Sequence, residues 1–179
     1  MEFYTEILSQ EEKLTEAPEY IRLLPLGRIS SEKGDFLVDR GSFQAMKGHM
    51  ERRGIDIVID YEHQTLKDIQ APAGGWIKEL VLKNDGIYAK VEWTARAREY
   101  LRNKEYRYLS PVVLVGKNDH RALRLHSVAL TNTPAINGMV PIVNSISGIA
   151  GADDGRDGTY REVCRLLNLS ESDFFLYGI

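Results

Sequence analysis

The sequence predicts an α+β fold that is mainly β, a mostly antiparallel sheet of about six or seven strands that forms a small barrel with two flanking helices. Three observations predict this fold. Apolar residues alternate over 55–63, and two pairs of strand-like segments are joined by turn sequences, at Asn84-Asp85-Gly86 and at 116–120. Alternation puts every second side chain on one sheet face, and short Gly-containing turns join antiparallel neighbours.

The strand predictions follow from β-favouring segments bounded by turn residues. Strands are expected at 20–29, 36–38, 55–63, 76–82, 87–93, 106–115 and 121–130. The first should bend at Pro25 and Gly27. In the third, alternation places Tyr61 and His63 on one face and Asp60 on the other, so that Asp60 cannot easily orient the His63 imidazole.

Two helices are predicted from their caps and their apolar spacing. Asp39 or Ser42 can cap a helix that ends at Gly54, a residue type that commonly follows a helix C-terminus. Thr94 can cap a second, shorter helix with Ala97 on its apolar side. Gly74-Gly75, before the strand at 76–82, is expected to permit a tight turn or a close backbone approach.

The composition along the chain predicts four segments. Residues 1–17 are polar and acidic and are expected to form a flexible lead-in, and 18–145 carry the alternating patterns of the barrel domain. A stretch rich in Ser, Gly, Ala and Asp at 146–158 is typical of a linker. Residues 159–179 then show helical spacing, and are expected to be the helical start of a further region.

Composition also narrows the functional classes. The chain has 179 residues, 43% of them hydrophobic, and a net charge of −3. It has no basic cluster of the kind that binds nucleic acids. A single cysteine, Cys164, fits a reducing compartment, and no signal peptide or membrane-length apolar run appears. An intracellular protein that binds neither nucleic acid nor membrane is therefore expected.

The residues that indicate chemistry are one serine and two histidines in three strand-like contexts. They are Ser110, His63 and His126. A hydroxyl attacks a carbonyl efficiently when a base removes its proton and a third group holds that base. A serine hydrolase, and a peptidase in particular, is the sharpest interpretation. Each residue also has a structural explanation, a hydrogen-bonded core histidine or a small serine beside a bulky neighbour, and the residues alone leave that alternative open.

A metal site is the main chemical rival. Asp60, Glu62, His63 and His126 are all ligand types, but they lack a paired His or Cys spacing, and alternation places Asp60 and His63 on opposite faces. Phosphate binding has less support, because the Gly74-Gly75 segment lacks the Lys-Ser/Thr partner. No metal and no cofactor are therefore expected.

Several motifs in a fixed order resemble those of one phage family. They are Asp60-Tyr61-Glu62-His63, Ala73-Gly74-Gly75-Trp76-Ile77, Tyr108-Leu109-Ser110-Pro111, and the run His126-Ser127-Val128-Ala129-Leu130-Thr131-Asn132-Thr133-Pro134-Ala135. Over roughly 18–145 the sequence resembles the Mu-like phage head-maturation proteases, the I protein family. The wider relatives are the prohead proteases of tailed phages and the herpesvirus maturation protease, assemblin.

This resemblance implies a fold and a set of roles. It implies an assemblin-like closed antiparallel β-barrel, with Ser110 as the nucleophile, His63 as the general base and His126 as the third, orienting member. The segment Thr131, Asn132 and Thr133 replaces the Gly-Arg-Arg segment of assemblin, so the oxyanion donors are expected around it. A neutral histidine as third member implies a slow enzyme.

The resemblance also implies a biological role. It implies a serine endopeptidase that processes phage scaffold and major capsid proteins, and itself, inside the immature head in the host bacterial cytoplasm. Self-cleavage is expected in or near 145–152, and a homo-oligomer such as a dimer is expected. The alternative is a non-enzymatic capsid assembly scaffold on the same fold.

Overall fold

Strand pairing between distant parts of the chain dominates the architecture. The computed structural model describes residues 17–142 and the backbone of Phe174–Tyr177. Within these residues there are nine strands and two helices. The strands are β1 (Tyr20–Pro25), β2 (Gly27–Ile29), β3 (Phe36–Val38), β4 (Ile57–Tyr61), β5 (Gly75–Lys83), β6 (Gly86–Trp93), β7 (Tyr108–Gly116), β8 (Ala122–Thr131) and β9 (Phe174–Tyr177), and the helices are α1 (Arg40–Arg53) and α2 (Ala95–Arg102).

Seven of the strands form one sheet in the order β1-β6-β5-β4-β8-β7-β9, and β2 and β3 form a separate pair. The mainly β class is confirmed, but the closed antiparallel barrel is not. The sheet is strongly curled into a half-barrel, and its edge strands β1 and β9 each pair only inward. Closure needs the two edges to hydrogen-bond to each other, which does not occur among the described strands.

One pairing in the sheet is parallel. Strand β4 pairs parallel to β8, with Ile59 opposite Val128 and Tyr61 opposite Leu130, whereas the other ladders between the named strands are antiparallel. The crossover between these two strands contains the β5–β6 hairpin, α2 and β7. It brings the motif at 60–63 against the motif at 126–135, which are far apart in the sequence.

The helix caps agree with their sequence signals. At the start of α1, Asp39 Oδ1 accepts a hydrogen bond of 2.9 Å from the Ser42 N–H, and Ser42 Oγ accepts one of 3.2 Å from the Asp39 N–H. At its end, Gly54 adopts φ 62° and donates to the Met50 carbonyl. Thr94 caps α2 by accepting from the Ala97 N–H at 3.3 Å. Both predicted helices are confirmed.

The core lies inside the curl of the sheet and under the helices. Its largest fully buried side chains are Ile21, Leu23, Leu24, Met46, Ile59, Ile77, Leu80, Ile87, Leu101, Leu109, Leu125 and Leu130. Three tyrosines, Tyr61, Tyr100 and Tyr106, extend it, with ring centroids 5.5 to 5.7 Å apart. Each fully buried aliphatic side chain stabilises the fold by about 1.5–3 kcal/mol.

Gly74 and Gly75 mark a close backbone approach, as predicted. A Cβ on Gly74 would lie 3.1 Å from Tyr61 Cζ, and one on Gly75 would lie 3.0 Å from the Glu92 carbonyl oxygen. The Gly74 N–H also donates a 2.7 Å hydrogen bond to the Ile59 carbonyl, next to Asp60. The absence of side chains here lets β5 pack closely against the strand that leads to the candidate site.

Phe174–Tyr177 pairs antiparallel with residues 113–116 of β7. This strand differs from the helix predicted for 159–179, because the apolar Phe-Phe-Leu-Tyr run favours β pairing where β7 offers an edge. The predicted lead-in up to residue 16, the linker at 146–158 and residues 159–173 lie outside the described residues. Among the described helices, none is long and apolar enough to cross a membrane.

Candidate active site

Three residues on neighbouring strands form a row at the centre of the sheet. Ala129 of β8 lies opposite Asp60 of β4 on one side and opposite Ser110 of β7 on the other. Residues opposite each other in a sheet project from the same face. Strands lie about 4.8 Å apart, so Asp60 and Ser110 flank the small Ala129 with their Cα atoms about 10 Å apart. The row is called the Asp60–Ala129–Ser110 row below.

Ser110 is fully buried in this row. Its exposed fraction is 0%, and its Oγ atom has no hydrogen-bond partner among the described residues. Pro111, which cannot donate to a ladder, lies beside it on a stretch of β7 that β9 does not cover. A serine that merely fills space normally bonds its hydroxyl to a nearby carbonyl, so the unpartnered Oγ needs another explanation.

His63 does not continue β4, which ends at Tyr61. Glu62 and His63 adopt left-handed backbone conformations with φ 50° and 56°, and a short 3₁₀ turn follows over Gln64–Leu66. The predicted alternation through His63 is therefore wrong at its end, because two consecutive left-handed residues reverse the chain direction. A fully regular strand would have kept the imidazole away from Asp60.

The His63 ring is half-buried, and its Nδ1 atom has no partner among the described residues. Burial lowers the pKa of His63 below its ordinary value of 6.5, while the negative charges of Asp60 and Glu62 oppose that change and Lys67 adds to it. The ring is thus favoured in its neutral form, the form in which a histidine can accept a proton.

Asp60 is a buried carboxylate near the end of β4. It is 0% exposed, and its Oδ2 accepts a 2.7 Å hydrogen bond from the Thr65 N–H, whereas its Oδ1 is buried without a partner. Its charge acts on both His63 and His126. The Asp60 carboxylate therefore lies near enough to both imidazoles to influence their pKa values.

His126 sits at a β-bulge. Ser127 is opposite Val112 and Leu125 is opposite Val113, so His126 is the extra residue of β8. Its Nδ1 lies 3.1 Å from Ser127 Oγ. Bulges change the direction of a side chain, and this one breaks the alternation that the sequence predicted for His126.

The electrostatics of His126 resemble those of His63. Burial lowers the pKa of His126 below 6.5, Arg124 and Arg53 lower it further, and Asp60 raises it. Burial thus favours the neutral form of both imidazoles, and the charge of Asp60 opposes this effect at each. Ser110 Oγ and His63 Nδ1 are both unpartnered among the described residues, and His126 Nδ1 contacts Ser127, so no hydrogen bond joins Ser110 to either histidine in this structure.

The segment expected to supply oxyanion donors is bonded internally. The Thr131 hydroxyl donates to Glu62 Oε2 at 2.9 Å and accepts from the Thr133 N–H at 3.1 Å. Asn132 is exposed, and its Nδ2 donates to the Glu105 carbonyl at 2.8 Å. The first of these contacts ties the segment to Glu62, the residue before His63.

Other kinds of site find little support in the described part of the chain. No three His, Cys, Asp or Glu side chains there are grouped so that they could hold a metal ion. An open cavity of about 520 Å³ lies over β5 and β6, where Lys78, Glu92 and Arg98 line it with mixed charges. It is remote from the row, because none of the candidate residues lines it.

Comparisons with known proteins give a family. The chain is 30% identical to the Mu-like prophage FluMu I protein of Haemophilus influenzae over 146 residues, which are 71% of this chain and 41% of that protein. It is also 30% identical to Protease I of Escherichia phage Mu over 138 residues, 67% of this chain and 38% of that protein. It therefore spans about two fifths of the length of these relatives, and no solved structure matches it.

The family comparison covers the whole of the large sheet except β9 and the first residue of β1. The model of the N-terminal domain of the Mu-like prophage I protein matches residues 21–143, which is more than half of the 179-residue chain. The chain thus belongs to the Mu-like prophage I protein family, and its residues 21–143 match that family's N-terminal domain.

Proposed function

We propose that this chain carries the catalytic domain of a serine endopeptidase that processes phage scaffold and capsid proteins, and itself, during head maturation. A relative named Protease I supports the peptidase class. The proposed place of action is the immature head in the host bacterial cytoplasm. The proposed nucleophile is Ser110, with His63 as the general base and His126 as the third member of the site.

The observation that carries this proposal is a pair of unpartnered buried atoms. Ser110 Oγ and His63 Nδ1 are each inaccessible to solvent and each lack a hydrogen-bond partner among the described residues. An unpaired buried polar atom costs about 1–3 kcal/mol, and natural proteins retain few of them. A catalytic hydroxyl that must be available to attack a carbonyl is a sufficient reason to keep one.

The proposed chemistry is peptide hydrolysis in two steps. Ser110 Oγ attacks the carbonyl carbon of the scissile bond, and His63 accepts the hydroxyl proton. The imidazolium then protonates the leaving amine as the C–N bond breaks, which leaves an ester on Ser110. In the second step a water molecule gives a proton to His63 and attacks that ester, and Ser110 recovers its proton as the new C-terminal acid leaves.

Burial of Ser110 has a consequence for substrate entry. With an exposed fraction of 0%, its hydroxyl can meet a peptide carbonyl only after the groups covering it move. Such closed states are common where access to a reactive group is controlled. A protease that acts only in an assembling head is expected to react slowly in isolation.

The primary test is labelling of the purified chain with a fluorophosphonate probe, in which the serine oxygen displaces fluoride from phosphorus. Ser110→Ala should abolish labelling, and peptide mass mapping of the wild-type protein should locate the probe on Ser110. Ser30→Ala is the matched control, because Ser30 is exposed and lies outside the proposed site. Labelling that survives in Ser110→Ala would contradict the assignment.

The two histidines are distinguished by separate substitutions. His63→Gln removes the proposed base and should lower the labelling rate by about 10²–10⁴-fold, the usual contribution of a general base. His126→Gln should lower it less, because His126 is proposed to act through the base. Equal rates for wild type and His63→Gln would exclude His63 from the base role.

Self-processing is tested on the same protein. Incubated wild-type chain should yield a cut in or near 145–152 by peptide mass mapping, and Ser110→Ala should stay intact. Co-expression with phage scaffold and capsid proteins extends the test to the proposed substrates. A Ser110→Ala variant that supports complete head maturation with unprocessed scaffold would instead favour the non-enzymatic scaffold role.

A further inference from the structure

Asp60 is a buried carboxylate that the proposed serine, histidine and histidine roles do not use. It is 0% exposed and lies in the Asp60–Ala129–Ser110 row, on the same sheet face as the proposed nucleophile. Burying a charge is costly unless partners compensate it. Asp60 has one described partner, the Thr65 N–H on Oδ2, and Oδ1 is left without one.

The bond to Thr65 ties Asp60 to the loop that carries His63. Thr65 belongs to the 3₁₀ turn over Gln64–Leu66, which begins immediately after His63, and the donated hydrogen bond measures 2.7 Å. The left-handed conformations of Glu62 and His63 reverse the chain so that this turn lies back over the end of β4. Asp60 therefore fixes the backbone on which the His63 ring is mounted.

Two unpartnered atoms of complementary type lie in this region. When Asp60 is ionised, its Oδ1 accepts hydrogen bonds and cannot donate one. His63 Nδ1 can donate a hydrogen bond when it carries the proton. Each is buried and each lacks a described partner, so the two atoms are not hydrogen-bonded to each other in this structure and each is open to form a bond. His126 does not compete in the same way, because its Nδ1 contacts Ser127 Oγ at 3.1 Å.

We propose that Asp60 is a positioning residue for His63: a rotation of the His63 side chain, on the turn that Asp60 holds, brings its Nδ1–H to the open Oδ1 of Asp60 and directs Nε2 towards Ser110. This inference rests on the proposed function. In this proposal the His63 ring lies above Ala129, the small residue between Asp60 and Ser110 on the same sheet face. The base is then held by a carboxylate.

The first test needs no variant. Proton and nitrogen NMR of the wild-type chain with labelled histidine should assign His63 as the neutral tautomer protonated at Nδ1, with a downfield, exchange-protected Nδ1 proton. His63→Gln identifies the resonance by removing it. A His63 ring protonated at Nε2 in the neutral form would overturn the proposal, whatever the activity.

The second test is Asp60→Asn, which keeps an oxygen that can accept from the Thr65 N–H. The fluorophosphonate labelling rate should fall by about 10²–10⁴-fold, the scale seen when an orienting aspartate becomes an amide. Asp68→Asn is the matched control, an exposed acidic residue in the same loop and outside the site, and should leave the rate unchanged.

The pH dependence of the labelling rate distinguishes a positioning role of Asp60 from a purely structural one. The charges that act on His63 are Asp60, Glu62 and Lys67. Removing the Asp60 charge should move the acid limb of the labelling rate to lower pH, a change that a general loosening of the fold would not produce. If the acid limb of the pH profile and the labelling rate of Asp60→Asn both match those of the wild type, the proposal is overturned.

The two proposals fail in different ways. Labelling that persists in Ser110→Ala would remove the serine peptidase assignment itself. Labelling that depends on Ser110 and His63 but is unaffected by Asp60→Asn would leave that assignment in place and remove the role of Asp60. If Asp60→Asn does not fold, as judged by circular dichroism, the tautomer of His63 in the wild-type protein decides the question.

Discussion

The side-chain hydroxyl of Thr131 donates a hydrogen bond of 2.9 Å to Oε2 of Glu62, which joins the end of β8 to the residue that precedes His63. A second link runs beside it, because the Glu62 N–H donates to the Leu130 carbonyl at 3.1 Å. Strand β8 also carries His126. The turn bearing one imidazole is thus fastened to the strand that bears the other.

Thr131→Val tests this connection. The substitution keeps the shape and the β preference of the side chain but removes the hydroxyl, so that Glu62 Oε2 and the Thr133 N–H both lose a partner. We expect the free energy of unfolding to fall by about 1–3 kcal/mol, as measured by urea denaturation. The Ser110 labelling rate should also fall, because the His63 turn is less firmly held.

Thr133→Val is the control for Thr131→Val. Thr133 is exposed, and its backbone N–H, the group that contacts Thr131, remains in the variant. It should unfold at nearly the wild-type urea concentration. Equal losses of stability in the two variants would show that the Thr131 hydroxyl has no special role.

The pH dependence of the reaction follows from the His63 ring. Burial lowers the pKa of His63 below 6.5, so the neutral ring required for proton transfer persists into weakly acidic solution. The acid limb of the fluorophosphonate labelling rate should therefore have its midpoint below pH 6.5. Rates measured from about pH 5 to about pH 8, where histidine normally titrates, check this. A midpoint above pH 6.5 would mean that a different group limits the reaction.

The same pKa shifts predict how stability depends on pH. The pKa values of His63 and His126 are both lowered in the folded chain, so between those values and pH 6.5 the unfolded chain binds more protons. Stability should therefore decrease as pH falls from 6.5 towards the lowered pKa values. Each ring contributes at most about 1.4 kcal/mol per pH unit.

Glutamine variants isolate this contribution, because glutamine does not titrate. His63→Gln and His126→Gln should each show a smaller loss of unfolding free energy than the wild type between about pH 7 and about pH 5.5. Urea denaturation at the two pH values measures it. A pH dependence identical to that of the wild type in both variants would show that neither ring is buried as described.

The parts of the fold that could be predicted from the sequence are those set by local chemistry. The hairpin at Asn84-Asp85-Gly86 and the helix capped by Asp39 and closed by Gly54 each depend on a few adjacent residues, and the structure has them where expected. The parallel pairing of Ile59 with Val128 could not be predicted in this way. It depends on residues far apart in the chain, and no local pattern encodes it.

The candidate site, like the fold, could be predicted from the sequence only where it depends on local patterns. The strand context of Ser110 follows from alternation, and the structure has it within β7. The positions of the His63 and His126 rings do not follow from alternation. Glu62 and His63 leave the strand with positive φ, and His126 is the extra residue of a bulge. Both departures are interruptions of a regular pattern. For that reason strict alternation does not predict where the His63 and His126 rings lie.

A fragment of residues 18–145 is expected to fold by itself. All the buried hydrophobic side chains of the described core lie between Ile21 and Ile142, and the family match ends at residue 143. The fragment lacks β9, which pairs with one edge of β7, so its stability should be somewhat lower. A cooperative urea transition with β-type circular dichroism would confirm the boundary, whereas a non-cooperative transition would place essential contacts outside 18–145.

Ala129 offers the most direct test of the space between Asp60 and Ser110. Ala129→Val adds two methyl groups at a position with 0% exposure, where overpacking costs about 1–3 kcal/mol, and it fills the space proposed for an imidazole. Ala122→Val is the matched control, because Ala122 is equally buried on β8 but lies opposite Val115, away from the row. Both variants should lose stability in urea, but only Ala129→Val should lose fluorophosphonate labelling while still folded. If Ala129→Val folds and labels as fast as Ala122→Val, no ring needs the space above Ala129, and the base must reach Ser110 from another direction.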